Sequence, residues 1–581
     1  MPRLVSTLAT IWGLARPYFF SEDRFAGRLL LGAVIGIELS LVGLNVLLNQ
    51  WNARFYNALQ DRNWDTFLYE LLIFCGLATA YIVLAVYQLY LRQWLQIRWR
   101  TWMTRRYLDH WLAGGNHYRM QLLGDAADNP DQRISEDINL FIERGLFIGT
   151  KLLGAVVTLV SFLAILWGLS DNTPLHLFGY DLVIPGYLVW AALVYAIVGT
   201  ILTHLVGSAL VGLNFQQQRY EADFRFNLVR ARENSEQIAL LMGETAENHR
   251  LLHRFASVIT NWKAIMLLTK KLMFLTVGYQ QAAVVLPYIL ASPGYFAGRI
   301  QLGGMMQAVS AFNSVQEALS VIVTTYRELA EWRAVIARLA GFDLAIAQGQ
   351  AAAVVQPAIE VAVREGQQRV AIDHLLVRLP QGKPLVAADD IVIAAGDRVL
   401  LTGPSGSGKS ALFRAIAGTW PFGKGSIAVP KGAKVMVLPQ RPYFPIGTLA
   451  AAVSYPAEPG TFSHAALAEV IRAVGLPELA ERLDEEAHWN RMLSLGEQQR
   501  LGIARVILEA PDYLFLDEAT ASLDEPAEAA LYRLLGERLK GTTIVSIGHR
   551  STLSAFHRRG LVMTRDGDRF RVREAVLEPA Q

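Results

Sequence analysis

Gly403-Pro404-Ser405-Gly406-Ser407-Gly408-Lys409-Ser410 fits the pattern G-x-x-x-x-G-K-[ST] at every fixed position. The apolar run Arg398-Val399-Leu400-Leu401-Thr402 leads into it and reads as a buried strand, and residues 411–417 lead out as a helix. That is the strand–loop–helix context the motif needs. Its glycines let successive backbone N–H groups turn inward around phosphate oxygens, and the helix start adds partial positive charge. On this reading Gly403, Pro404, Ser405, Gly406, Ser407, Gly408 and Ala411 line a nucleotide-phosphate cradle. Lys409 reaches the β- and γ-phosphates, and the Ser410 hydroxyl ligates Mg²⁺.

Around this loop lies a chain of 581 residues, beyond the ~250–300 at which a single core splits. Hydrophobic residues make up 52% and charged residues 18%, and the mean hydropathy is +0.27, a balance that implies membrane spans. The net charge of +3 makes no case for nucleic acid. Cys75 is the single cysteine, so no internal disulfide forms. Residues 1–24 carry scattered charges without a small-residue cleavage site, and no cleavable signal is expected there.

Six stretches have the ~20 apolar residues a membrane span requires: 27–50, 67–91, 145–169, 182–213, 271–296 and 302–325. Arg92, Arg98, Arg100, Arg105 and Arg106 follow the second, and Arg219, Arg225, Arg230 and Arg232 follow the fourth, whereas 170–181 holds no Lys or Arg. Positive charge stays inside, which places both long connections and both termini in the cytoplasm. Those connections are polar and helix-periodic, so they are expected to extend the spans as helices, with breaks at Gly114-Gly115 and Asn129-Pro130. Glu70, Trp51, Trp64 and Trp94 lie near span ends as interfacial anchors. Inside the spans, Glu38, His204 and Glu317 are candidates for a substrate pathway, because ionisable groups in lipid face a bundle interior or a wet cavity; interhelical hydrogen bonding is the competing reading.

The spans end near Tyr326. Residues 1–340 are expected to form a transmembrane domain, 341–367 a linker and 368–581 an α/β nucleotide-binding domain. In the last, Leu514-Phe515-Leu516-Asp517-Glu518 reads as a strand ending in two carboxylates, about 108 residues after Lys409. Asp517 is placed to hold Mg²⁺, and Glu518 to polarise an attacking water.

Four further pieces carry a family resemblance. Leu493-Ser494-Leu495-Gly496-Glu497-Gln498-Gln499-Arg500 resembles the signature of ABC ATPases, Gln440 in Leu438-Pro439-Gln440-Arg441-Pro442 their Q-loop, Ser522-Leu523-Asp524 their D-loop, and His549 their switch histidine. The resemblance runs from Arg369 onward. It implies ATP and Mg²⁺ as cofactors, Glu518 and His549 as catalytic residues, and Gln440 with Ser410 and Asp517 at the metal. It also implies that Ser494, Gly496, Glu497 and Asp524 meet ATP held by a second copy, so that the chain works as a homodimer. Leu495 and Glu497 depart from the usual signature. Leu379 stands near the position where an aromatic ring usually stacks on adenine, with His374 as a weak substitute.

Asn129-Pro130-Asp131-Gln132-Arg133-Ile134 with Glu136-Asp137-Ile138, and residues 225–244, are similar to segments of the SbmA/BacA-like peptide transporters with a fused ATPase and of the related subfamily D acyl-CoA transporters. This resemblance implies an exporter-type six-span helical bundle followed by an α/β P-loop ABC ATPase domain in a bacterial inner membrane, in contact with lipid. The activity implied is ATP-driven import of antimicrobial or host-derived peptides, bleomycin-like or other bulky hydrophilic compounds. An exporter or flippase of lipids, fatty acyl compounds or drugs, and an ATP-gated channel or sensor, are the alternatives.

Overall fold

The computed structural model describes residues 2–124, 129–171, 175–177, 180–182, 184–354, 357–366, 368–548 and 550–576. The chain divides into two units, Met1–Arg106 with Asp131–Ala340, and Tyr107–Pro130 with Gly341–Gln581.

In the first unit the apolar runs become long helices, the form in which a segment meets all its own backbone polar groups. In chain order the α-helices of six or more residues described within the first 351 are α1 (Pro2–Phe19), α2 (Arg24–Gln60), α3 (Trp64–Leu112), α4 (Asn116–Leu123), α5 (Ile138–Asp171), α6 (Tyr187–Glu233), α7 (Ser235–Leu240), α8 (Glu244–Phe296), α9 (Leu302–Thr324) and α10 (Tyr326–Ala351). Among the described residues, five helical stretches are long and apolar enough to cross a membrane, those of α2, α3, α5, α6 and α8. Their apolar stretches face outward: only 6% of the stretch in α3 and 17% of that in α2 is buried. Hydrocarbon solvates such a surface and water does not. With 49, 47 and 53 residues, α3, α6 and α8 outrun the ~30 Å hydrocarbon layer, as their polar, helix-periodic extensions predict. Gly114 and Gly115 adopt φ of 54° and 75°, and Asn129 a φ of 52°, so the chain breaks at both predicted points.

The expected sixth span, α9, is helical but is not among the five. It packs against α2, α5, α6 and α8, and Ala311, Phe312 and Val315 are fully buried. A helix enclosed by other helices meets little lipid, so it tolerates Asn313, Gln316 and Glu317. Its first N–H groups are capped from α2: Leu302 N–H donates to Gln60 Oε1 at 2.6 Å and Gly303 N–H to Asn57 Oδ1 at 2.8 Å. Glu70 does not behave as an interfacial anchor. It is 3% exposed, and its carboxylate takes the Arg54 guanidinium at 2.9 Å.

The second unit is an α/β layer. Its strands are β1 (Ile359–Arg364), β2 (Arg369–Arg378), β3 (Pro384–Ala388), β4 (Ile391–Ala394), β5 (Arg398–Thr402), β6 (Gly423–Pro430), β7 (Val435–Leu438), β8 (Tyr513–Asp517), β9 (Thr543–Ile547), β10 (Arg559–Asp566) and β11 (Arg569–Ala575). They form one eleven-stranded sheet in the order β1-β6-β2-β3-β11-β10-β5-β9-β8-β7, with β4 on β2. The stretch 341–367, expected as a linker, is helical through Ala351 and contributes β1 to this sheet.

The strands β7, β8, β9, β5 and β10 run parallel. Register aligns Leu438 with Leu516, Asp517 with Ile547, and Ile547 with Leu401, so their carboxyl ends form one edge. Along β8 the side chains alternate: Leu514 and Leu516 enter one core, Tyr513 and Phe515 the other. The first core holds residues of α12 (Leu449–Ser454), α13 (His464–Ala473), α14 (Leu495–Glu509) and α15 (Glu525–Arg538). The second holds α11 (Lys409–Ile416), with Phe413 edge-on to Phe515 at 5.1 Å.

Candidate nucleotide site and family

In open α/β sheets, ligands gather where parallel strands end. The P-loop follows β5, Gln440 follows β7, Glu518 follows β8, and the segment holding His549 follows β9. His549 lies outside the described residues. The loop needs its glycines: Gly408 has φ 91°, and a Cβ there would lie 2.6 Å from Val386 Cγ2. From this left-handed residue the chain enters α11, whose N–H groups point at the cradle.

Lys409 is 7% exposed and its ammonium donates to the carbonyls of Gly403 at 2.9 Å and Pro404 at 3.0 Å. Burial lowers its pKa, and Glu518 and Asp517 oppose that shift. The Ser410 hydroxyl donates to Asp517 Oδ1 at 2.9 Å. Burial raises the Asp517 pKa, and the Ser410 hydrogen bond works against it. Ser407 is fully buried, with its hydroxyl 3.4 Å from Met563 Sδ. Glu518 takes φ 52°, a left-handed bend that turns the chain sharply after the strand.

The signature segment departs from the usual sequence without strain. Ser494 is the N-cap of α14, and Leu495 opens the helix, so no left-handed residue is needed there. Glu497 acts on its own helix start. Its carboxylate accepts the Ser494 N–H at 2.8 Å and the Ser494 hydroxyl at 2.7 Å, a capping box. Gly496 lies in the first turn of the same helix. Asp524 caps α15 through Ala527 N–H at 3.2 Å. Gln440 is exposed.

Leu379 sits in the β2–β3 turn, partly buried against the sheet core. His374 is exposed, with φ 48° and Asp389 at 3.8 Å. Glu38, His204 and Glu317 do not form one cluster: among the described residues no three of His, Cys, Asp and Glu gather. Glu38 is hydrogen-bonded by Gln88, and a Cβ on Gly154 would overlap its carboxylate. His204 and Glu317 are exposed. The sequence reading gave no role to Gln499, Glu528 and Arg550, which hold the loops together; the only signal was position, Gln499 inside the signature, Glu528 just past Asp524 and Arg550 next to His549.

Two family models match, the ABC transporter transmembrane region 2 over residues 14–296 and the ABC transporter model over residues 388–521. The ABC transporter ATP-binding protein sll0182 of Synechocystis is 35% identical, covering 94% of this chain and 82% of the relative. The chain belongs to the ABC transporter family. It fuses the transmembrane and ATPase regions and is of subfamily D type. The lysosomal cobalamin transporter ABCD4 of Mus musculus is 27% identical over 87% of this chain and 86% of that protein. A solved bacterial Atm1-family ABC exporter with ATP bound superposes with a TM-score of 0.72 at 17% identity, covering 94% of each chain, which shows a shared fold. This ABC transporter binds ATP, and its hydrolysis is coupled to transport.

Proposed function

We propose that two copies of this ABC transporter import an antimicrobial or host-derived peptide, a bleomycin-like compound or another bulky hydrophilic molecule across the inner membrane by alternating access. The observation that carries the cargo class is Glu38. It lies within the apolar α2, hydrogen-bonded by Gln88 of α3 and seated on Gly154 of α5. An ionisable group retained inside a span marks a polar route. Glu317, exposed on the otherwise enclosed α9, and His204 on α6 extend it. The relative named as a cobalamin transporter handles a bulky polar molecule as well. In this reading α9 is the sixth span, and the arginines after the second and fourth spans keep the ATPase domain and both termini cytoplasmic.

The ATPase residues take the following roles. Lys409 and the P-loop amides hold the phosphates. Ser410 and Asp517 place two oxygens side by side at a helix start, a donor set that fits Mg²⁺, with Gln440 as the third group. Mg²⁺ bound there supplies charge neutralisation on the phosphates. Glu518 accepts a proton from the attacking water, and His549 acts as the switch histidine. Ser494, Gly496, Glu497 and Asp524 complete the site of the opposite copy. Each unit also exposes an apolar tip, Leu240, Leu241 and Met242 at 75%, 81% and 86% on one, and Tyr443 and Ile446 at 61% and 73% on the other; we take these as surfaces covered on assembly.

Cells with and without the protein, challenged with a toxic peptide and with bleomycin, test the direction. Import predicts that cells lacking the protein, or carrying Glu518→Gln, resist. Greater sensitivity in both would replace import by export.

A further inference from the structure

Four consecutive residues after Glu518 are each held by a group from another part of the ATPase unit. The Thr520 hydroxyl donates to Glu528 Oε1 at 2.5 Å. The Ala521 carbonyl accepts from Arg550 Nη2 at 3.2 Å, and the Leu523 carbonyl from Arg550 Nη1 at 2.6 Å. Between them, Ser522 N–H donates to Gln499 Oε1 at 3.0 Å. The other end of the Gln499 amide donates to the Gln440 carbonyl at 3.0 Å. Glu528 closes the circuit, with its second oxygen 3.4 Å from Arg550 Nη1. Gln499 is fully buried and Glu528 is 3% exposed, so the Thr520–Glu528 bond is shielded from competing water, whereas Arg550 reaches the Ala521 carbonyl from the exposed side.

We propose that Gln499 and Arg550 are positioning residues for ATP hydrolysis, which grip residues 520–523 from opposite sides and thereby hold the Glu518 carboxylate in its working direction. The reason lies in the backbone. Glu518 is a non-glycine residue at φ 52°, a conformation that persists only where surrounding structure over-determines it. Its carbonyl already accepts the Ala521 N–H at 3.1 Å, and Leu523 N–H returns to the Thr520 carbonyl at 3.1 Å. These turns are themselves local and weak. The fork of Arg550 spans two carbonyls and a carboxylate at once, which a lysine cannot do. The Gln499 amide matches one donor and one acceptor, and links the same segment to Gln440. Releasing either clamp lets Glu518 relax to an ordinary backbone region and swings its carboxylate away, while the P-loop contacts that bind ATP stay intact.

This inference rests on Glu518 as the base. The test measures ATPase kcat and KM, binding of a fluorescent ATP analogue and thermal unfolding, on the full chain in lipid nanodiscs, for Arg550→Met, Gln499→Met, Arg550→Lys and Thr520→Val. We expect kcat to fall about tenfold or more in the two Met variants, with KM and analogue affinity within about twofold. Arg550→Lys should recover only a minor part, because it restores charge but not the fork. Where a Met variant does not fold, Thr520→Val, which removes one hydroxyl at constant shape, should still lower kcat severalfold at unchanged KM. A lowered unfolding temperature with unchanged kcat, or a loss confined to ATP binding, would overturn the proposal. Glu518→Gln, run in parallel, separates the two readings: normal turnover in that variant rejects the base role itself, whatever the clamp variants do.

Discussion

Burial shifts the titration of several side chains of the ATPase unit. Asp517 and Lys409 are pushed toward their neutral forms by desolvation, and each is drawn back by a neighbour, Ser410 for the acid and Glu518 for the base. His557 shows the same force away from the nucleotide. It is buried, with Nδ1 2.7 Å from the Leu553 carbonyl and Nε2 2.9 Å from Ser546 Oγ. Burial holds its pKa below the ordinary value of 6.5. The sign follows: the unfolded chain binds this proton and the folded chain resists it, so stability is full above about pH 6.5 and declines as pH falls toward the folded pKa. The urea midpoint of the protein should therefore drop between about pH 7.5 and about pH 5. His557→Gln, which keeps a donor and an acceptor, should flatten that drop; an unchanged slope would show that other groups cause it.

At the scale of elements, helix ends locate the joints of the molecule. The last carbonyls of α10 have no partners within the helix. Those of Gln348, Gln350 and Ala351 are met by the N–H groups of residues 352–354. The Gly349 carbonyl accepts instead from Arg119 Nε at 2.9 Å, and Arg119 also donates to the Gly114 carbonyl at 2.6 Å. A guanidinium at a helix C-terminus is favoured by the helix dipole. Beside it, Asn116 donates to the Ile346 carbonyl at 3.2 Å, and Leu122 packs on the sheet core. Thus α4 is fastened to the end of α10. Arg119→Met leaves the buried Gly349 carbonyl unpaired and should lower stability by about 1–3 kcal/mol, read as a lower chemical-denaturation midpoint. An Ala substitution at exposed Arg105 should move it by less than about 0.5 kcal/mol.

For the whole molecule, the proposed function requires two copies: a single chain supplies one P-loop and one capped signature helix, and its exposed apolar tips are, on that proposal, covered in the pair. Ser494→Arg puts a bulky cation at the start of α14 in place of the capping hydroxyl. It should abolish ATP-dependent dimerisation of the full chain carrying Glu518→Gln, measured by light scattering, while leaving binding of ATP to the P-loop within about threefold. Dimerisation that survives this change would remove the nucleotide from the interface.

The amino-acid sequence by itself determined the chemistry-bearing loops and the class of both units, because both are local properties. A P-loop is eight contiguous residues in a strand–loop–helix frame, and a span is a run of apolar side chains long enough to cross hydrocarbon. Even the breaks at Gly114-Gly115 and Asn129-Pro130 follow from backbone preferences of single residues. What only the tertiary structure decided depends on groups far apart in the chain. Other helices enclose α9, β1 joins a sheet from what reads as a low-complexity linker, and Glu70 turns inward to Arg54. Gln499 and Arg550 look like ordinary polar residues until the parallel register of β5, β8 and β9 brings the loops to one edge. Hydrogen bonds between residues tens of positions apart leave no periodicity to read, so their partners are fixed only once the cores on both faces of the sheet have set the distances.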